Sequence, residues 1–206
     1  MQRRLASALI GLGLFTLSCE VPMTHGLPPV SAALPAAAAP EVRPADSLLT
    51  SVIDHFASQP RMGLTGPEIE TVARAIVDES KRHDIDPSLV LAVIHVESRY
   101  DAFAVSSAGA LGLMQILPAT GRELAARTGV DWTGPRTLFD PVANVRLGVA
   151  YLKQLSDRYR STSMALAAYN WGPGHIDRRL RSGTPLPTTY PALVFEAYSA
   201  HRQRRS

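Results

Sequence analysis

The stretch DIDPSLVLAVIHVESRY, residues 84–100, opens as a helix should and closes on a contradiction. Asp86 supplies a short acceptor for the open N–H groups of a first turn, and Pro87 has its φ pre-set for the first helical position. From Leu89 to Val96 only His95 interrupts an apolar run. A helix apolar nearly all round has no solvent face and belongs at the centre of a domain. Yet Glu97, Ser98 and Arg99 follow at once. A carboxylate at the end of a buried helix is partly desolvated, which disfavours its ionised form and raises its pKa. Such a group is protonated enough at neutral pH to donate a proton, and basic enough to take it back. The competing reading is a glutamate that turns to solvent and pairs with Arg99 or Arg74.

Working outward, the flanking segments are helical too. TGPEIETVARAIVDESKRH (65–83) opens with Thr65 and Glu68 spaced as a capping box and Pro67 in the first turn. It then sets Ile69, Val72, Ala73, Ile76 and Val77 on one face. DPVANVRLGVAYLKQL (140–155) repeats the Asp-Pro start and directs Val145, Val149 and Leu152 inward. Further helices are predicted through SMALAAY (163–169) and TYPALVFEAYSAHR (189–202). No segment alternates as a half-buried strand does, so the expected fold class is all-α over residues 48–206.

The beginning of the chain reads differently. Met1 to Arg4 is a short cationic segment, and Leu5 to Leu17 is an apolar run broken only by small residues. That order is a secretory signal, and the run is too short to span a bilayer. The one cysteine, Cys19, stands directly after it and has no partner for an intramolecular disulfide. The run Phe15 to Cys19 (FTLSC) resembles a bacterial lipoprotein box, in which the cysteine is acylated and becomes the mature N-terminus. Ser18 fits it; Thr16 departs from the usual aliphatic residue, and an ordinary cleaved signal is the alternative. Residues 20–47, rich in Pro and Ala, keep no period of 2 or 3.6 and read as a semi-rigid linker. Such a layout puts the domain in the periplasm, tethered to a membrane if Cys19 is acylated. The net charge of +3 comes almost wholly from Arg and gathers in short runs such as Arg202 to Arg205. No aromatic residues interleave with these runs, which argues against a nucleic-acid surface.

Two later segments give Glu97 company. SSAGALGLMQILPATG (106–121) places Gly109 and Gly112 where the backbone must turn tightly, with Met114 and Gln115 beside them. LAAYNWGPG (166–174) brings the hydroxyl of Tyr169 and the amide of Asn170 to a helix end stopped by Gly172 and Pro173. Amide, hydroxyl and aromatic groups around one carboxylate suit a sugar better than a phosphate or a metal. His95 and His175 lack ligand-like spacing, and neither HExxH nor GxSxG occurs, so no metal and no cofactor are expected.

ESRY (97–100), SSAGALGLMQILPAT (106–120), DPVANVRLGVAYL (140–152) and ALAAYNWGPG (165–174), in that order, resemble the motifs of the soluble lytic transglycosylase (SLT) domain, family 1. The resemblance covers roughly Pro67 to Arg178. It implies a goose-lysozyme-like helical fold and non-hydrolytic cleavage of the β-1,4 bond between N-acetylmuramic acid and N-acetylglucosamine, leaving a 1,6-anhydro end. It implies Glu97 as the single catalytic acid and then base. It also implies Ser106, Gly112, Met114, Gln115 and Asn170 along the saccharide groove, and Tyr169 holding the carboxylate and the reacting sugar. Each has a plainer use as well: Met114 as core filler, Gly112 as a turn, Ser106 as a helix cap, Tyr169 as a locally satisfied hydroxyl. The partner implied is a peptidoglycan glycan strand, with wall turnover and service to a secretion machine both open. Two positions depart from the family's usual pattern. Asp101-Ala102 stands where Asn-Pro is common, and Trp171 stands where a small residue follows Tyr-Asn. A second carboxylate near Glu97 keeps a hydrolytic muramidase in play, since hydrolysis normally recruits one. Asp101 would share a helical face with Glu97 if the helix continued, but the helix is expected to end near Tyr100 and leave Asp101 capping the next turn. A non-catalytic peptidoglycan-binding module is the third reading, and it has no need of the acid.

Overall fold

The computed structural model describes residues 44–203, with side chains from residue 47. The signal-like segment, Cys19 and most of the Pro/Ala-rich stretch lie outside the described residues. Those described form helices α1 (Pro44–Ala57), α2 (Gly66–His83), α3 (Pro87–Ser98), α4 (Pro118–Thr128), α5 (Pro141–Tyr159), α6 (Thr162–Trp171), α7 (Pro173–Ser182) and α8 (Thr189–Gln203). A single 3-10 turn, Pro135–Phe139, precedes α5. Among the described residues there are no strands beyond two isolated bridges, Val105 with Leu111 and Leu111 with Ile116.

Local chemistry sets these ends. Asp86 accepts from the Ser88 N–H at 2.8 Å and Asp140 from the Ala143 N–H at 2.8 Å, so both Asp-Pro starts are capped as expected. Glu68 takes both the backbone N–H (2.7 Å) and the hydroxyl (2.6 Å) of Thr65, which fixes the entry to α2. Two boundaries differ from expectation. The helix α1 starts at Pro44, inside the range read as linker, because proline is well tolerated in a first turn. Gly172 and Pro173 do not simply stop α6: Gly172 turns at φ 79° and Pro173 opens α7.

Helix α3 has a wholly buried middle. Val90, Ala92, Val93 and Ile94 are wholly buried, as the unbroken apolar run requires. It packs chiefly against α8, while α5 packs against α2 and α6, and α1 covers α2. Each fully buried Val, Leu or Ile contributes roughly 1.5–3 kcal/mol relative to exposure, so this centre holds the surrounding helices in place. The predicted inward residues of α2 and α5 are buried, apart from Val77, which is only partly covered. A further link joins α2 to α5: the buried carboxylate of Glu79 meets Arg82 at 2.9 Å and Arg146 at 3.4 Å.

Candidate active site

The end of α3 is built to turn the chain sharply. Arg99 and Tyr100 follow Ser98 with φ of 52° and 66°, two successive left-handed residues that carry side chains. Such backbone costs free energy and persists only when its surroundings hold it. Here the anchor is Tyr100, whose hydroxyl lies 2.8 Å from His55 Nε2 and 3.1 Å from His201 Nε2. The Asp101 carboxylate then accepts from the Phe103 N–H at 2.8 Å, capping the next turn as expected. The helix has ended before Asp101, so the i, i+4 face it would have shared with Glu97 does not form.

Glu97, in the last turn of α3, does not turn out to the arginines. Arg99 meets His95 at 2.6 Å and Arg74 pairs with Glu70 at 3.0 Å. Glu97 instead accepts a 2.5 Å hydrogen bond from the hydroxyl of Tyr190, a residue of α8. Burial pushes its carboxyl up to about 7, and the Tyr190 hydrogen bond opposes that rise by favouring the ionised form. The phenols of Tyr190 and Tyr169 are both driven well above their ordinary range, by burial first and then by the nearby Glu97 charge. Glu97 therefore sits among groups that stay neutral while it titrates.

The loop after α3 is held by one side chain absent from the expected set. Asn144, fully buried on α5, accepts from the Met114 N–H at 2.8 Å and donates to the carbonyls of Leu111 and Leu138, each at 2.9 Å. Gly112 is buried at φ 76°, where a Cβ would collide with the Leu138 carbonyl and the Asn144 amide. Its lack of a side chain is a packing requirement. Met114 is likewise wholly buried, pressed on Gly148 of α5, so its thioether fills the core and does not face the groove. Its carbonyl takes the Tyr169 hydroxyl at 2.8 Å, which makes Tyr190, and not Tyr169, the direct partner of the carboxylate. Gln115, at φ 49°, folds its amide back onto the carbonyls of Ala104 (3.1 Å) and Gly112 (2.9 Å). Ser106 closes a turn, its hydroxyl accepting from the Ala110 N–H at 3.0 Å, in place of the helix cap considered for it.

Gln115, Tyr169 and exposed Asn170 come together, with Leu117, Thr120 and Trp171, along a cleft of about 260 Å³. Glu97 does not line it; Tyr169 joins the two, since it borders the cleft and lies within electrostatic reach of the carboxylate. A larger cleft of about 710 Å³, between α1, α3 and α8, is lined by His55, His95, Arg99, Glu196 and His201 but also lacks Glu97. Neutral polar groups converge in the smaller one, beside Tyr169. Among the described residues no three His, Cys, Asp or Glu side chains are arranged to hold a metal ion.

Tyr190 and Asn144 were not singled out by sequence reasoning. Asn144 lies in the DPVANV motif and Tyr190 in the last helix, and the local pattern around each assigns it no partner.

Comparison with known proteins gives the family of the domain. The family model for the Transglycosylase SLT domain matches residues 74–187. The membrane-bound lytic murein transglycosylase C of Actinobacillus pleuropneumoniae serotype 5b (strain L20) is 39% identical over 107 residues, covering 47% of this chain and 29% of the relative. The same protein from serotype 3 (strain JL03) matches equally. The chain thus spans under a third of the length of these relatives. Among solved structures, an inactive glutamate-to-glutamine mutant of the lytic transglycosylase Slt from Pseudomonas aeruginosa aligns with TM-score 0.50 and 30% identity, covering 64% of this chain and 22% of that one. A 70-kDa soluble lytic transglycosylase in complex with bulgecin A aligns with TM-score 0.51 and 20% identity over 78% of this chain and 28% of that one, a likeness of fold. With its all-helical fold and a matched region that runs from α2 to just short of α8, the chain belongs to the Transglycosylase SLT domain family.

Proposed function

We propose that the protein is a lytic transglycosylase that cleaves the β-1,4 bond between N-acetylmuramic acid and N-acetylglucosamine without water. The observation that carries this reading is the desolvated carboxyl of Glu97, raised to about 7 and held by Tyr190, while the neighbouring Asp101 is spent on its own turn. Protonated Glu97 donates to the glycosidic oxygen, the C1–O4 bond breaks, and the N-acetylglucosamine leaves as an alcohol. The muramyl C6 hydroxyl then attacks C1, and the Glu97 carboxylate takes its proton. A 1,6-anhydro ring forms, atoms balance without water, and Glu97 returns to its starting state. The C6 hydroxyl is tethered to the reacting centre, and well-oriented intramolecular groups act at effective molarities of roughly 10⁵–10⁸ M. A neutral cleft with Gln115, Tyr169 and Asn170 fits a role in orienting that ring; Ser106 supports its loop, and Gly112 and Met114 contribute through packing. The relatives' names support a murein (peptidoglycan) substrate and attachment to a membrane, for which acylated Cys19 would serve, and a periplasmic location goes with the signal-like N-terminus. Among the described residues no helix is long and apolar enough to cross a membrane.

Mass spectrometry of fragments released from purified sacculi tests the reaction. The expected products end in 1,6-anhydro-N-acetylmuramic acid, one water lighter than hydrolytic products and resistant to borohydride. Glu97→Gln should lower turnover by at least roughly 10²–10⁴-fold with binding retained, since an amide cannot shuttle the proton. Reducible ends carrying oxygen from labelled water would make the enzyme a muramidase.

A further inference from the structure

We infer that Trp171 is a stacking platform for a saccharide ring next to the scissile bond, extending the sugar site along the 260 Å³ cleft; this rests on the transglycosylase reading above. The indole ends α6 and is 50% exposed, a large apolar surface to leave in water. It is nonetheless held. The His175 ring lies 5.0 Å from it, inclined at 33°. His175 Nε2 accepts from Arg179 Nε at 2.8 Å, and Arg179 Nη1 donates to the Pro185 carbonyl at 2.5 Å. An aromatic plate held by a neighbouring ring loses little freedom when a ligand settles on it, so more of the contact energy is realised.

The surroundings say which ligand. The cleft lining contains amides, hydroxyls and apolar groups, and no charged side chain. A phosphate or carboxylate would find no cation there. A pyranose presents C–H faces to an aromatic ring and hydroxyl or acetamido groups at its rim, where Asn170, Gln115 and Thr120 stand. Tyr169 borders both this cleft and the Glu97 environment, so a ring on Trp171 belongs to the same strand as the bond being cut.

The test uses the full-length protein with soluble glycan strands of N-acetylglucosamine and N-acetylmuramic acid. Trp171→Ala should raise KM about tenfold with kcat within about twofold, while Trp171→Phe, which keeps a ring, should stay close to wild type. In Glu97→Gln, indole emission should change as strands are added, and that change should vanish when Trp171→Phe is combined with it, leaving only Trp132. Unchanged KM in Trp171→Ala overturns the platform, and so does strand-insensitive emission. A wild-type protein that releases no anhydro ends overturns the underlying reaction instead; the emission titration still decides the platform, and a flat response rejects it.

Discussion

Glu97 shows at the scale of one residue what burial does to a carboxyl. Its ordinary value near 4.5 is raised to about 7 in the fold, by desolvation against the pull of the Tyr190 hydrogen bond. Acid catalysis requires the protonated form, so kcat/KM should fall about tenfold per unit once pH exceeds about 7. Tyr190→Phe removes the contact that favours ionisation, so this limb should move to higher pH while kcat falls; a limb that stays in place would detach Tyr190 from the carboxyl. Stability carries the same signature. Below about 4.5 the carboxyl is protonated in both folded and unfolded chains and costs nothing. Between about 4.5 and 7 the folded chain holds the proton more tightly, so stability falls as pH rises, by about 3 kcal/mol in total. Glu97→Gln escapes this loss. Denaturant melts should find it level with wild type at pH 4 and clearly more stable at pH 8.

At the scale of elements, the site depends on how α5 pins the loop between α3 and α4. Asn144 satisfies three backbone groups of that loop and the adjoining 3-10 turn from one buried amide. Asn144→Ala takes this partner from the Met114 N–H and the Leu138 carbonyl, while the Leu111 carbonyl keeps the Ile116 N–H at 3.1 Å; with about 1–3 kcal/mol for each unsatisfied group the loss should be at least about 2 kcal/mol. Asn144→Asp keeps one acceptor, loses both donations and should fare little better; a melt within 1 kcal/mol of wild type for either would contradict this account. Five of the helices, α2, α3, α5, α6 and α8, were legible in the sequence, because periodicity and starts such as Asp-Pro are local signals, whereas α1, α4 and α7 were not singled out. The buried end of α3 and its raised carboxyl were legible for the same reason. The role of Asn144 was not, since its three partners are assigned by how the loop folds back over α5. Met114 and Gly112 were read as groove residues from their motif, whereas packing against Gly148 and Asn144 decides what they touch.

At the scale of the whole molecule, tethering and assembly come to the fore. Cys19→Ala should move the protein from membranes to the soluble fraction if its acyl group is the anchor; a wild-type protein already soluble, beginning well beyond Cys19, would contradict that. Tyr190 was missed because the partner of a side chain 93 positions away leaves no trace in local pattern. The four motifs that carry the family resemblance are complete by residue 174, and the matched region ends at 187. Two of the three tethers on the end of α3, Tyr190 on Glu97 and His201 on Tyr100, come from α8, and His55 of α1 supplies the third. Contacts so distant along the chain form late, after the loop entropy between them has been overcome. During synthesis from the N-terminus, a chain holding every motif is therefore still without the hydroxyl that grips its carboxylate. Timing follows from that geometry: the reactive centre is finished only when α8 has emerged and docked, so an incomplete chain lacks a finished blade.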